Sequence, residues 1–461
     1  MSSLSAVMSR LDNGFDHSLE HLFDLLRIPS ISTDPAYRKD CAAAAKWLAD
    51  DLKSIGFSAR AVRTPGHPMV LAKHHKAKGA PTVLFYGHYD VQPVDPLSLW
   101  NHPPFEPRIV NAATGRQIAG RGTSDDKGQL MTFVEACRAW KAETGNLPLN
   151  VTILFEGEEE SGSPSLVPFL KEYRKELQAD IALVCDTGMW DRETPAISAA
   201  LRGLLGMELT LHAANRDLHS GMYGSAARNP IQLLATILAG MRDAEGRVTL
   251  PGFYDGVPEL PAAQLKQWKK LGFSGKEFLG EVGLKIPAGE KDRSVLEMIW
   301  ARPTFEINGI YGGYTGEGFK TVIPAQASAK VSFRLVGRQD PKKIKQAFKK
   351  YVKSCLPADC SVSYHEEGDG SPGIQLDIER PAVRRAAQAL KDEWGRETAL
   401  TAMGGSIPIV GHFQNILGMQ SMLTGFALDD DRIHSPNEKY QLESFRKGQR
   451  SWARIIGALA Q

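Results

Sequence analysis

Residues Thr82–Pro93 read TVLFYGHYDVQP and combine a strand signal with two residues suited to a metal site. Val83–Tyr86 is a short apolar, β-branched and aromatic run that is typical of a buried strand. Gly87 ends the run, and His88 and Asp90 follow just past it. In open α/β sheets, ligands bind at the carboxyl ends of strands. A histidine there can bind a metal ion, and a nearby aspartate can accept its second N–H and fix its tautomer.

Length and composition predict a soluble protein of two domains. The 461 residues are too many for one hydrophobic core. Hydrophobic residues make up 42% and charged residues 23%, as in ordinary globular proteins. Because 55 basic residues face 53 acidic ones, we expect no general attraction to nucleic acid or to an anionic membrane. No secretory signal pattern and no apolar run of bilayer length is visible, so we expect a cytoplasmic enzyme.

The five cysteines show no paired framework. Cys41 and Cys137 lie on apolar helical stripes, and Cys185 ends an apolar strand, so buried reduced thiols are expected. Cys355 and Cys360 enclose a short loop that a disulfide could close, but none is expected.

Strands and helices alternate in the first 200 residues or so. Helical spacing covers Asp16–Arg27 and Asp40–Ile55. Buried-type strands follow at Leu149–Phe155 and Ile181–Cys185. Strands separated by helices predict an α/β domain with a mainly parallel sheet and helices on both faces.

The pattern changes after Arg202, where the order β-α-β-β-α-β predicts a ferredoxin-like α+β domain. Residues 203–372 are therefore expected to form a smaller domain inserted into a larger one made of 1–202 and 373–461. A polar segment, roughly 243–300, interrupts the smaller domain after its first helix. The predicted elements are strands at Gly206–His212, Arg302–Gly312, Gln326–Val336 and Cys360–His365, with helices at Pro230–Met241 and Pro341–Lys353.

Five acidic or imidazole sites fall where strands or their loops end. Each alone has an ordinary explanation as a helix cap, a solvated turn or a loop residue. Together they place carboxylates at the same end of three successive strands, where like charges repel unless a cation neutralises them. The sites are His88 with Asp90, Asp125 with Asp126, Glu158–Glu160, Asp186, and His434.

This set of side chains suits a pair of metal ions. Two histidines and several carboxylates favour zinc or manganese. Two ions about 4 Å apart, bridged by one carboxylate, would hold a water molecule and polarise a carbonyl group. A carboxylate beside that water, itself not a ligand, would act as general base. Spacing alone does not decide which of Glu158, Glu159 and Glu160 takes which role.

Seven motifs, in order from about residue 20 to the C-terminus, resemble one family: the co-catalytic metallopeptidases that include carnosinase, cytosolic non-specific dipeptidase, aminoacylase and carboxypeptidase G. The carnosinase and dipeptidase branch is the most similar. The resemblance implies a zinc-binding catalytic domain and an inserted lid through which two subunits dimerise. The motifs are GHYDVQP, GRGTSDDKGQ, EGEEESGS, DLHSGMYG, GEGFKTVIPAQASAKVSFRLV, GGSIPI and HSPNEK.

The resemblance implies a metal ligand at five positions. Asp125 corresponds to a carboxylate that bridges two divalent ions, which would be zinc or, as the alternative, manganese. His88 and Asp186 complete the first ion, and Glu160 and His434 complete the second. We therefore expect two ions per subunit, with zinc as the first choice.

The resemblance also implies roles beside the metal ions. Asp90 corresponds to the residue that orients the first histidine. The family's Glu-Glu pair just before Ser-Gly-Ser selects Glu159 as the general base and leaves Glu160 as the ligand. A metal-bound hydroxide formed with the help of Glu159 would then attack the amide carbon.

Four further positions are expected to bind substrate. His219 resembles a lid residue that reaches the active site of the partner subunit and stabilises the oxyanion. Arg334 resembles the residue that grips a substrate carboxylate, a task that suits the guanidinium fork. Ser406, in the GGSIPI stretch, and Thr321, in the lid, resemble residues that line the substrate site.

The leading hypothesis is a dinuclear metallopeptidase that cleaves dipeptides and works as a homodimer. The alternative keeps the same metal centre but acts on N-acyl or N-carbamoyl amino acids. A third hypothesis, from another class, is a non-catalytic binding protein that keeps the fold. The third is disfavoured because every ligand-type residue and the base are present in the sequence.

Overall fold

The structure is a computed structural model that describes residues 3–366, 368–405 and 407–461. It divides into two compact units. The first comprises the chain up to Ala199 together with Leu376–Thr401 and His412–Gln461. The second comprises Ala200–Gln375 and Ala402–Gly411. The sequence-based boundaries were residues 202 and 372, and 402–411 had been assigned to the larger domain, so the division differs most at that segment.

Helices and strands alternate along much of the described chain. The helices are α1 (Ser3–Asn13), α2 (Phe15–Leu26), α3 (Arg38–Ile55), α4 (Lys127–Thr144), α5 (Leu166–Glu172), α6 (Ser220–Tyr223), α7 (Pro230–Ala239), α8 (Ala262–Lys270), α9 (Gly275–Glu281), α10 (Val295–Trp300), α11 (Pro341–Cys355), α12 (Pro381–Trp394), α13 (Pro408–His412) and α14 (Leu442–Leu459). The strands are β1 (Ser58–Val62), β2 (Met69–His74), β3 (Thr82–His88), β4 (Arg108–Ala112), β5 (Gly115–Ala119), β6 (Asn150–Glu156), β7 (Ile181–Val184), β8 (Ala196–Leu201), β9 (Gly203–His212), β10 (Leu218–His219), β11 (Thr304–Gly312), β12 (Val322–Ile323), β13 (Gln326–Leu335), β14 (Ser361–Glu366), β15 (Ile374–Gln375), β16 (Ala399–Met403), β17 (Ser421–Leu423) and β18 (Lys439–Gln441).

The first unit is built on a mixed sheet whose central strands are parallel. Its strand order includes β1-β2-β6-β3-β7-β17-β8. β3 is parallel to β6 and β7, and β17 is parallel to β7, which confirms the α/β prediction for the centre of the sheet. β1 and β2 pair antiparallel at the edge and had not been predicted. β1 consists of exposed and half-buried residues and so carries no apolar signal.

An aromatic cluster fixes β3 between two helices. Phe85 on β3 stacks on Phe133 of α4, with 3.8 Å between ring centroids. Trp452 of α14 meets both rings edge-on at 5.4 Å. All three side chains are fully buried, and burying one side chain of this kind contributes roughly 1.5–3 kcal/mol. The strand that ends at His88 is therefore firmly anchored.

The second unit contains a four-stranded antiparallel sheet in the order β11-β13-β9-β14. In chain order this is second, third, first and fourth strand, with α7 and α11 between them, as the ferredoxin-like prediction requires. The predicted alternation on β13 is confirmed, since its inward residues join the core with α7 and α11. Both helices begin with a proline after a capping side chain, Asn229 for α7 and Asp340 for α11.

The segment at 243–300 forms three short helices, α8, α9 and α10, within the second unit. Trp268 and Trp300 pack edge to face there, with ring centroids 4.9 Å apart. A buried ion pair between Glu290 and Arg302, at 2.9 Å, ties the segment to the start of β11. The insertion is thus a packed element of the second unit.

The five cysteines are all free, which confirms the expected absence of a disulfide between Cys355 and Cys360. Cys41, Cys137 and Cys185 are buried, as expected. Within the described ranges, no helix has the length and apolar character needed to cross a bilayer.

Candidate metal centre

Three parallel strands deliver acidic and imidazole side chains to one edge of the sheet. The register of β3 with β6 places His88 opposite Glu156. β7 ends at Val184, two residues before Asp186, and pairs with β3 on its other side. Because parallel strands share the direction of their carboxyl ends, the segments that follow them meet at the same edge.

Two groups of side chains at this edge are close enough to hold a metal ion each. The first group contains His88, Asp125 and Asp186, and the second contains Asp125, Glu160 and His434. Within each group, the potential ligand atoms lie within 4.8 Å of one another. The structure therefore brings together all five residues that the sequence nominated as ligands, with Asp125 in both groups.

The two oxygens of Asp125 face different imidazoles. Its Oδ1 lies 3.0 Å from Nε2 of His88, and its Oδ2 lies 3.0 Å from Nε2 of His434. The same Nε2 of His434 lies 3.2 Å from Oε2 of Glu160. A carboxylate shared between two ions needs this divergent arrangement of its oxygens.

Burial and close contacts shift the pKa values of the side chains in both ligand groups. Burial, reinforced by the charge of Asp125, raises the pKa of Asp186 to about 7. Burial also disfavours the charged form of Asp125, but hydrogen bonds from His434 and His88 outweigh it and lower its pKa. Hydrogen bonds with Asp125 and Glu160 raise the pKa of His434 to about 10. A divalent ion would take the place of the protons shared between these imidazole nitrogens and carboxylate oxygens. Because zinc and manganese use this set of donor atoms, the residues fit divalent ions.

Asp90 links the end of β3 to the glutamate turn. Nδ1 of His88 lies 3.1 Å from the main-chain oxygen of Asp90 and 3.4 Å from its Oδ1. The Asp90 carboxylate accepts the backbone N–H groups of Glu159 at 3.3 Å and Glu160 at 3.0 Å. The side chain was expected to orient His88, and the nearer acceptor is instead the main-chain carbonyl. Asp90 thus positions both the histidine and the turn that carries Glu160.

The structure separates the three consecutive glutamates. Glu158 is buried, and its carboxylate accepts the backbone N–H groups of His67 at 2.7 Å and Ser165 at 3.0 Å. Glu160 belongs to the second ligand group. Glu159 is half-buried between them, and burial raises its pKa, which favours a role in proton transfer.

A close approach at Gly87 fits Asp126 against the strand. The peptide bond between Asp125 and Asp126 is cis. Oδ2 of Asp126 accepts the backbone N–H of His88 at 3.0 Å and lies 3.4 Å from Sγ of Cys185. A Cβ atom on Gly87 would come within 2.7 Å of that oxygen, so glycine is needed there. Asp126 therefore holds the turn in place, while its neighbour supplies the candidate ligand.

Four residues that sequence reasoning did not single out support the centre. Gln92 donates to Oε2 of Glu160 at 2.7 Å. The other three, Arg121, Asp431 and Glu438, bind the loops that carry Asp125 and His434. Most of them lie inside or beside the quoted motifs, but a sequence does not show which distant partner a polar residue will meet.

Three of the residues expected to bind substrate, His219, Thr321 and Arg334, lie in the second unit. His219 pairs with Val322 across β10 and β12, and the backbone N–H of Ser220 bonds the carbonyl of Thr321, so His219 and Thr321 are neighbours. Both are exposed. Arg334 is half-buried on β13. Ser406 lies outside the described residues.

The tautomer of His219 follows from its local contact. Nδ1 of His219 accepts the backbone N–H of Gly221 at 3.0 Å. In the neutral imidazole the proton must then sit on Nε2. His219 therefore presents an N–H donor on an exposed part of the second unit.

Comparison with known proteins agrees with this geometry. The sequence model of Peptidase family M20/M25/M40 matches residues 84–458. The chain is 28% identical to Cys-Gly metallodipeptidase DUG1 of Saccharomyces cerevisiae, over 98% of each chain. It is 25% identical to human Beta-Ala-His dipeptidase, over 99% of this chain and 93% of the relative.

Solved structures give the same result. An M20 family metallo-carboxypeptidase, Sso-CP2 from Sulfolobus solfataricus, has a TM-score of 0.78 at 31% identity and covers 96% of this chain and 99% of its own. Human carnosine dipeptidase 1 has a TM-score of 0.76 at 25% identity, with 100% of this chain and 99% of its own covered. The expected family and the α/β fold class are confirmed. The protein is a metallopeptidase that belongs to Peptidase family M20/M25/M40.

Proposed function

We propose that this metallopeptidase hydrolyses the peptide bond of dipeptides at a centre of two divalent ions. The observation that carries the proposal is the position of Asp125 in two ligand groups at once. His88 and Asp186 would complete the first ion, and Glu160 and His434 the second. The names of the relatives, a Cys-Gly dipeptidase and a Beta-Ala-His dipeptidase, support dipeptides as the substrate class.

The chemistry divides between the ions and one glutamate. When bound, the two ions would polarise the scissile carbonyl and make a water molecule nucleophilic at neutral pH. Glu159 takes a proton from the attacking water and passes it to the leaving amine nitrogen. Burial raises the pKa of Glu159, which makes it a stronger base than an ordinary exposed carboxylate and favours the first transfer.

Residues of the second unit would bind the substrate. The Nε2–H of His219 donates to the oxyanion that develops on the carbonyl, at the active site of a partner subunit. Arg334 binds the carboxylate of the dipeptide, with Thr321 and Ser406 beside the substrate. Burial and the nearby charge of Arg334 lower the pKa of Arg202 to about 10, so a second guanidinium adds positive charge near Arg334.

The role of Glu159 is tested by Glu159→Gln. We expect kcat to fall by about 10²–10⁴-fold while both ions are retained, because a general base contributes that much and the amide leaves the ligand groups intact. Glu172→Gln, at an exposed glutamate of α5, is the matched control and should keep full activity. Turnover at the normal rate by Glu159→Gln would remove this residue from the mechanism.

The substrate class is tested with a panel of dipeptides, N-acetyl amino acids and N-carbamoyl amino acids. Dipeptides should have the highest kcat/KM. A higher value for either acylated class would replace the dipeptidase assignment with the deacylase alternative. A fully metal-loaded sample that is inert on the whole panel would favour the non-catalytic hypothesis.

We further propose a homodimer that forms through the second unit. β11 is an edge strand, and an edge leaves N–H and C=O groups available to another chain. Ile307 and Ile310 on this strand are 47% and 53% exposed, an unusual apolar surface for an edge. Sedimentation should show a dimer for the unchanged protein, and Ile310→Lys should shift it toward monomer. A monomeric unchanged protein would contradict the proposal.

Zinc is the proposed native metal, with manganese as the alternative, and the cytoplasm is the proposed location. The imidazoles and carboxylates of the two ligand groups fit either metal. The five free cysteines fit a reducing compartment such as the cytoplasm. Metal analysis of protein purified without added metal tests the first proposal. Cell fractionation tests the second.

A further inference from the structure

A buried glutamate, Glu438, is surrounded by four hydrogen-bond donors. Its Oε2 accepts from Nη1 of Arg121 at 2.8 Å and from the backbone N–H of Gly122 at 3.0 Å. Its Oε1 accepts from the backbone N–H groups of Ser124 at 2.9 Å and Asp125 at 3.1 Å. The side chain has no exposed surface. Both oxygens are thus fully used by the loop that leads to Asp125.

The same residue ends the loop that carries His434, four positions earlier in the chain. The main-chain oxygen of Glu438 accepts the N–H of Gly120 at 3.1 Å, so backbone and side chain both bind the Asp125 loop. His434 and Asn437 have left-handed backbone angles, with φ of +62° and +65°. Such angles are uncommon outside glycine and need support from neighbouring contacts. Glu438 is placed to supply that support.

Arg121 extends the connection to a third segment. Its Nη2 donates to the main-chain oxygen of Pro93, the last residue of the GHYDVQP motif, at 2.9 Å. Its guanidinium lies over the ring of Trp100, 5.3 Å from the centroid. The Glu438–Arg121 pair therefore joins the segments that carry His88, Asp125 and His434.

We infer that Glu438 is a positioning residue that sets the distance between Asp125 and His434 and thereby the affinity of the second ion. The inference rests on the proposed function, which assigns Asp125 and His434 to that ion. Loss of Glu438 releases both of these ligands together. The first group keeps His88 and Asp186, whose segments are held by β3 and β7, so the first ion should be affected less.

The test is a comparison of two variants at this position in the full-length protein. In Glu438→Gln, an amide NH₂ group would face N–H donors that it cannot accept from. In Glu438→Asp, the charge and the partner of Arg121 remain, but the shorter side chain cannot reach all four donors. Competition with a chromophoric chelator gives the affinity for Zn²⁺, and the visible absorption of Co²⁺ reports the ligand geometry.

A matched control is Glu393→Gln. The side chain of Glu393 is only 3% exposed and accepts from Nε of Arg450 at 2.6 Å and Nε of Arg454 at 2.7 Å, so this change also breaks a buried ion pair. It lies on α12 and belongs to neither ligand group. Any general loss of stability should appear in both Gln variants, whereas a loss of metal affinity should appear only at Glu438.

We expect Glu438→Gln to lower the affinity for the second ion by about 10–100-fold, the usual effect of removing a partner of metal ligands. The affinity of Glu438→Asp should lie between those of Glu438→Gln and the unchanged protein. Should Glu438→Gln fail to fold, Glu438→Asp decides alone. Two ions bound to both Glu438 variants as tightly as to Glu393→Gln would overturn the inference. Failure of the unchanged protein to bind two ions would instead overturn the proposed function, so the two failures are distinguishable.

Discussion

The two ligand groups share Asp125 but are carried by different kinds of structure. His88 ends β3 and is fully buried, and Asp186 lies two residues past the end of β7. Glu160 lies in a single helical turn, and the side chain of His434 is 54% exposed on a loop with left-handed backbone angles. The group of His88, Asp125 and Asp186 is therefore built mainly on strands of the central sheet, and we call it the strand-borne group. The group of Asp125, Glu160 and His434 is built on turns, and we call it the loop-borne group.

This difference predicts unequal binding of the two ions. Ligands on packed strands keep their positions without a metal, because the core beneath them fixes the backbone. Ligands on turns depend on outer contacts, such as those that Asp90 makes with the backbone of Glu160. The strand-borne group should hold its ion more tightly, and the loop-borne group should lose its ion first.

The largest effect should come from the residue that both groups share. Asp125→Ala removes a ligand from each group, so both affinities should collapse and hydrolysis should fall to background. Metal analysis and a dipeptide assay measure the two effects. Asp50→Ala, at an exposed aspartate that pairs with Lys46 and Lys53, is the control and should bind both ions. Retention of two tightly bound ions by Asp125→Ala would show that the groups do not share a ligand.

The next effect separates the two groups. His434→Gln should leave one ion bound, because His88, Asp125 and Asp186 remain. Asp186→Asn should lower the affinity for the ion of the strand-borne group and leave the loop-borne group complete. Titration with Zn²⁺ monitored by calorimetry gives the stoichiometry and affinity for each variant.

The control for the histidine change is His102→Gln, at an exposed histidine in the connection between β3 and β4. It should bind two ions normally. If His434→Gln lost both ions together, the strand-borne group would not be independent, and the comparison between the groups would be wrong.

Sequence alone could predict the strand-borne group more fully than the loop-borne one. An apolar run followed by His88, or by Asp186, marks a strand end directly, because burial on both faces leaves a continuous apolar signal. The glutamate turn gave no such signal: Glu158, Glu159 and Glu160 are chemically identical. Only the family pattern and then the buried contacts of Glu158 separated them.

Contacts between distant loops were beyond sequence reasoning. Glu438 and Arg121 are 317 positions apart, and no local pattern shows that they pair. The same limit explains why segment 402–411 was assigned to the larger domain, since its packing with α8 and α10 depends on tertiary contacts. The edge strand β1 was missed because half-exposed strands carry little apolar periodicity.

The third prediction concerns the core beneath the strand-borne group. Phe133→Ala should lower the free energy of unfolding by about 3–5 kcal/mol, since a fully buried ring that stacks on Phe85 is lost. Urea denaturation followed by near-ultraviolet circular dichroism measures it. The matched change is Phe333→Ala, a fully buried ring in the core of the second unit. It should cost a similar amount but leave the affinity for the strand-borne ion unchanged, whereas Phe133→Ala should weaken that ion. Equal metal affinities in the two variants would contradict the prediction, because they would show that packing around Phe133 does not affect the positions of the ligands.

The smallest effect comes from a pH-dependent contact on α4, the helix that follows Asp125. His21 on α2 lies 3.2 Å from Oε1 of Glu135 on α4, and this hydrogen bond raises the pKa of His21. A histidine with a raised pKa in the folded state stabilises the fold fully below its unfolded value of about 6.5. That stabilisation disappears as pH rises through the folded value.

The free energy of unfolding of the unchanged protein should therefore exceed that of His21→Gln by roughly 0.5–1 kcal/mol near pH 6, and the difference should shrink above neutral pH. Urea denaturation at pH 6, 7, 8 and 9 measures it. Glu135→Gln should remove most of this pH dependence, because the hydrogen bond and the negative charge of Glu135 both raise the pKa of His21. Since the contact lies on α4 rather than on either ligand group, both ions should remain bound in these variants. A difference that grows with pH would mean that His21 is stabilised as the neutral imidazole, and that the anchoring of α4 does not depend on its charge.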